Sequence, residues 1–245
     1  MKYLTQLFEL TKMTLLSQRQ GVAFLVMVQV VLTIGLVLGY GYLIPDISET
    51  AALYVTTGAA TNAIVTTGLV MLPQMLAEAK HQGRLEFMLT LPISREVYLL
   101  SQILATIIFA APGTILAVAF GAWHYDLSLD IHPLVPVVIL LGIASLAGVG
   151  VTVVMLSSHF QVTNAITQLV IFYVVFFAPI LLPKEQLPEL LQAASTVMPP
   201  TYAADAMRAS LTDLPGTALY RDLVVLTGFA AASLALSAAS IRRRG

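Results

Sequence analysis

Four histidines, His81, His124, His132 and His159, are the residues of this chain best suited to metal or acid–base chemistry. They fall in three different connections, on two sides of long apolar segments. His124 and His132 share one connection, but two ligands without a nearby third make no zinc site. There are no cysteines, so disulfides, thiol nucleophiles and thiolate metal sites are excluded. No HExxH, no Gly-rich phosphate loop ending in GK[ST] and no GxSxG occurs. The histidines read as solvated loop residues, and the chain itself is expected not to be an enzyme. The remaining concentration of chemistry is charge, between Glu78 and Arg95. Glu78, Lys80, Arg84 and Glu86 lie on a helix-compatible stretch that Gly83 can break. Leu85, Met88 and Leu89 give it an apolar edge, Leu91 and Pro92 stop it, and Ser94 is placed to N-cap the next helix. A short rigid helix held between two long ones can pass on a displacement applied by another protein. A plain solvated connector would have the same composition.

The elements around that segment are membrane-like. Of 245 residues 58% are hydrophobic and 10% charged, with mean hydropathy +0.88, against about 25% charged in soluble domains. A helix needs about 20 apolar residues to cross the hydrocarbon layer. Six stretches qualify: 21–44, 51–76, 97–122, 133–156, 164–182 and 223–241. None contains Asp, Glu, Lys, Arg or His. The runs are unbroken rather than alternating, so they predict helices and not a barrel. The expectation is an all-α polytopic membrane protein with six transmembrane helices, forming one domain over residues 1–245 without internal repeats. Residues 1–20 place Leu4, Leu7, Phe8 and Leu15 on one helical face and predict an amphipathic interfacial helix, not a cleavable signal.

Threading six helices puts Lys2, Lys12, Arg19, Lys80, Arg84, Arg95, Arg242, Arg243 and Arg244 on one side. Lys184, Arg208 and Arg221 fall on the other, together with most of the acids. The positive-inside rule then makes both termini and the 78–95 segment cytoplasmic, in a multi-pass protein of the cell membrane. The formal net charge of −1 gives no sign of a nucleic-acid partner. Before the last span, 183–222 predicts two short helices, parted at Pro199 and Pro200. They either dip into the outer leaflet and return or lie on the outer interface. Gly35 with Gly39, Ala144 with Gly148, and Ala231 with Ala235 and Ala239 mark close helix packing. Pro73, Pro112 and Pro179 should bend or break their helices.

Ion-driven carriers use intramembrane charged relays, and the spans carry none, so a secondary transporter is the weaker reading. A non-transporting membrane scaffold is the other alternative. Uncharged polar residues recur at helical spacing: Asn62 with Thr66, Gln102 with Thr106, and Asn164 with Thr167 and Gln168. Asn62, Thr66, Asn164 and Gln168 are candidates for the wall of a substrate route. Interhelical hydrogen bonding would use the same residues.

The segment from Glu78 through Gly83, Arg84, Leu85, Glu86 and Leu89 to Pro92, Ile93, Ser94 and Arg95 resembles the membrane subunit of type 2 ABC exporters. That family shows a Glu, a Gly-Thr-x-Glu-x-Leu run and then Ser-Pro-Ile-Ser-Arg. Arg84 stands here for the Thr, and Leu91 precedes the proline. Met198 to Arg208, with Pro199, Tyr202 and Arg208, resembles the family's stretch before the last helix. The resemblance implies a permease that pairs with a second permease subunit. It implies that each permease seats a cytoplasmic ABC ATPase holding the ATP and Mg, with no cofactor in this chain. It makes Glu78, Gly83, Arg84, Glu86, Pro92 and Arg95 the ATPase-coupling residues and the amphipathic start an elbow. The implied activity is export of a lipophilic or amphipathic substrate such as a drug, antibiotic, lipid or polysaccharide.

Overall fold

A computed structural model describes residues 2–44, 46–91, 93–157, 159–178, 180–181, 183–212 and 218–242. Among these the secondary structure is helical throughout. The helices are α1 (Lys2–Ser17), α2 (Arg19–Leu43), α3 (Glu49–Thr66), α4 (Leu72–His81), α5 (Arg84–Thr90), α6 (Arg95–Tyr125), α7 (Val135–Leu156), α8 (Phe160–Phe177), α9 (Glu189–Ser195), α10 (Pro199–Leu211) and α11 (Leu219–Arg242). A π-helical turn, Thr67–Met71, joins α3 to α4, and a 3₁₀ turn, Lys184–Gln186, precedes α9.

Five segments are long and apolar enough to cross a membrane: Val26–Leu43, Glu49–His81, Glu96–Tyr125, Val135–Met155 and Leu219–Leu236. The protein is thus all-α and polytopic. The remaining expected span, 164–182, corresponds to α8, whose 18 residues extend roughly 27 Å at the usual helical rise. Residues 2–17 form the separate amphipathic helix expected at the start. Leu10, Thr11 and Thr14 face inward, while Tyr3, Leu4, Phe8, Met13 and Leu16 are exposed.

The segment Glu49–His81 is the centre of the bundle, with 83% of its apolar stretch buried, against 11% for Val26–Leu43. Its π turn has a local cause. Pro73 offers no N–H to the carbonyl of Leu69, and its ring crowds that carbonyl, so the helix widens by one residue just before it. The opposing α7 accommodates the bend with glycine, since a Cβ at Gly150 would overlap the Pro73 ring. α6, by contrast, continues through Pro112 without a break. Pro179 lies outside the described residues.

Packing assigns the small-residue signals unevenly. Ala144 and Gly148 do meet a neighbour, because α7 and α11 pack along their lengths and a Cβ at Gly148 would collide with Ser233. Gly35 and Gly39 have nothing within 4 Å of their Cβ positions. Ala231 and Ala235 are exposed, and the buried face of α11 carries Leu226, Ala230 and Ser233 instead.

α10 is enclosed by α3, α7 and α11. Ala203, Ala206 and Met207 share a core cluster with Ile64, Val138, Ile143 and Leu226. Met198, just before α10, shares another with Leu69, Leu146 and Val174. Leu146 lies midway along α7, so α10 turns back into the bundle and is buried in protein, whereas α9 keeps Glu189, Leu190 and Ala193 exposed. This is the setting in which interrupted backbone is tolerated at membrane depth.

Candidate functional site

The stretch from Glu78 to Arg95 begins inside a helix rather than as a loop. α4 continues past the apolar run to His81, with Ala77 and Ala79 buried along it and Glu78 exposed. Gln82 donates to the Glu78 carboxylate at 2.9 Å. Gly83 then breaks the helix at φ 71°, a left-handed conformation that a side chain disfavours. α5 follows as the short amphipathic helix expected, with Leu85 buried and Glu86 and Phe87 exposed. Leu91 is extended, as a residue before proline must be. Pro92 itself lies outside the described residues. The Ser94 hydroxyl accepts from the Val97 N–H at 3.3 Å and caps α6, which Arg95 opens.

The neighbours of this segment were not all legible. Arg84 is half-buried and lines a narrow cavity between α1 and α6 with Thr14, Tyr98 and Gln102. Gln102 donates to the Thr14 hydroxyl at 2.9 Å, with both side chains buried. The polar face of α6 therefore ties down the amphipathic start, and Thr106 bonds its own helix at the Gln102 carbonyl. On the other side a polar cleft of about 220 Å³ brings together Lys80, His81, Glu86, Ser157 and His159. Sequence spacing gave no sign that the 157–159 connection would meet the 78–86 segment. Lys80 donates to the backbone carbonyls of Val154 at 2.8 Å and Ser157 at 2.5 Å.

The candidate route residues are dispersed. Asn62 and Thr66 are half-buried on α3. Asn164 is half-buried on α8 with its side-chain oxygen shielded, and Gln168 is exposed. Among the described residues no hydrogen bond joins the two pairs.

At the opposite end the structure holds a charge buried more deeply than its spacing predicted. Arg208 on α10 is 2% exposed. It pairs with Asp205 at 2.8 Å, donates to the Ile180 carbonyl and lies over the Tyr54 ring, 4.3 Å from its centroid. The i,i+3 spacing of Asp205 and Arg208 signalled the pair. Nothing in the sequence signalled Tyr54.

This end has no catalytic arrangement among the described residues. Its geometry can hold a buried helix, and the geometry of the α5 end can present a small rigid helix to a partner. A family model described as ABC-2 type transporter matches residues 5–212. No curated protein matches the chain.

Proposed function

Because the chain belongs to the ABC-2 type transporter family, a family of transporter membrane subunits, we propose that it is the permease of an ATP-driven exporter worked by an ABC ATPase on a separate chain. The ATPase would seat on the exposed face of α5, and two permeases would pair around the substrate route. A lipophilic or amphipathic substrate suits the spans, whose buried polar groups away from the helix ends, such as Thr56, Thr57, Thr61, Thr106 and Thr114, are uncharged. The observation that carries the reading is the construction of the α5 end. α4 leaves the most buried span as an unbroken helix, Gly83 turns the chain sharply, and α5 shows Glu86 and Phe87 outward while Leu85 anchors it. A push on α5 then acts on the central helix of the bundle. The positive-inside pattern supports a cytoplasmic position for this end, on the side where ATP is.

The test is Glu86→Ala in the complex with its partner ABC ATPase, purified from membranes. Loss of the chain's effect on ATP turnover, with the permease still inserted and folded, is the expected result. Wild-type turnover together with wild-type assembly would remove Glu86 from the contact. Failure of any ATPase to co-purify with the unaltered chain would remove the reading.

A further inference from the structure

Lys80 lies on α4 one turn before Gly83, yet its bonds go to another helix. The last carbonyls of a helix lack intrahelical partners and carry its partial negative charge. The Lys80 ammonium meets two such groups, the Val154 and Ser157 carbonyls at 2.8 and 2.5 Å. It thus caps α7 from across the bundle. The two residues that supply these carbonyls are buried, Val154 0% and Ser157 5% exposed. Ser157 is itself fixed by two bonds to the Val153 carbonyl, from its N–H at 2.9 Å and from its hydroxyl at 2.7 Å. Further along α4, Leu72, Leu76 and Ala77 share a core cluster with Val151, Val154 and Met155. Gly150 admits the Pro73 ring. From Pro73 to Lys80, then, α4 is laid along the second half of α7. The π turn sits at the start of this contact and separates it from α3.

We infer that Lys80 is a positioning residue that yokes the α4–α5 lever to α7, so that displacement of α5 moves α7 and the 157–159 connection with it. This inference rests on the coupling role proposed for α5. Without the yoke, the end of α4 would be joined to α7 only by apolar contacts such as those of Leu72, Leu76 and Ala77. With it, the push also reaches α11, which is bonded to α7 through Ser233.

The chain has no cysteines, so spin labels can be placed on cysteines introduced at Gln82 and His159, both exposed. The distance between them is measured in the complex with its ATPase, nucleotide-free and vanadate-trapped. In the otherwise unaltered chain the distance is expected to stay fixed. In Lys80→Met it is expected to change by about 5 Å on trapping, on the order of one helical turn. Lys80→Arg, which keeps the charge and the donors, is expected to restore the fixed distance. A distance that already changes by about 5 Å in the unaltered chain overturns the yoke, and so does a Lys80→Met complex as rigid as the unaltered one. If Lys80→Met does not assemble, the unaltered chain alone decides. If the ATPase does not co-purify with the unaltered chain, the coupling reading fails and takes the yoke with it.

Discussion

The hydroxyl of Ser233 on α11 stands inside the hydrogen-bond ladder of α7 at Gly148. It accepts from the Gly148 N–H at 2.6 Å and donates to the Ala144 carbonyl at 2.8 Å, the two groups that an ordinary helical rung would join directly. Only a residue without a Cβ permits that approach. Gly148→Ala is therefore expected to force the two helices apart and to cost about 1–3 kcal/mol of stability, the usual range for overpacking. Ser233→Ala is expected to cost less, on the order of 0.6–2 kcal/mol, because Gly148 and Ala144 can close their own rung. Unfolding in mixed micelles measures both, and equal effects would contradict the inserted-hydroxyl geometry.

Asp205 and Arg208 should respond asymmetrically to substitution. The Arg208 side chain is 2% exposed and that of Asp205 35%. Asp205→Asn leaves a buried guanidinium without its carboxylate and is expected to cost about 3–5 kcal/mol. Arg208→Lys keeps the charge but loses the planar fork that reaches Asp205 and the Ile180 carbonyl while stacking on Tyr54. It is expected to destabilise as well, and Tyr54→Leu should then add little to it. A double-mutant cycle on Tyr54 and Arg208 reads the coupling directly.

Gly83 is constrained by backbone and not by space. Nothing lies within 4 Å of its Cβ position, yet its φ is 71°. Gly83→Ala is expected to cost about 1–2 kcal/mol, and Gly83→Asn less, since Asn tolerates the left-handed region. If Ala and Asn behave alike in stability and in stimulation of the ATPase, the turn is not held in this conformation.

Gly150 faces the Pro73 ring. Gly150→Ala should lift α4 from α7 and cost about 1–3 kcal/mol. It should also expose the Lys80 cap, read as faster amide exchange at Ser157, whose N–H bonds the Val153 carbonyl. Unchanged exchange at that amide would mean that the close approach at Gly150 is not needed to keep the Lys80 cap in place.

Much of this was legible because the signals were local. Unbroken apolar runs required helices. Gly83 required a break, and Ser94 three residues before Val97 required a cap. What escaped reading was direction around each helix axis. The Gly35–Gly39 and Ala144–Gly148 pairs have the same spacing, yet only the second meets a neighbour. Spacing describes one helix, and a contact needs two. Gln102 read only as one of several uncharged polar residues at helical spacing, and it holds Thr14, 88 positions away. The charged stretch after Glu78 read as helix-compatible up to Gly83, but charge outside the apolar run hid that it continues the buried span through α4 to His81. Lys80 read only as a cytoplasmic cation, since its carbonyl partners, Val154 on α7 and Ser157 just past its end, are 74 and 77 residues distant.

The connection between α6 and α7 is held by more than its two helices. The Asp130 N–H bonds the Leu211 carbonyl at 3.1 Å, and the His132 N–H bonds the Ser210 carbonyl at 2.8 Å. This connection is thus stitched to the end of the buried α10, and a protease attacking it would need to unseat that helix first. Its cleavage rate should therefore track the release of α10 from the bundle.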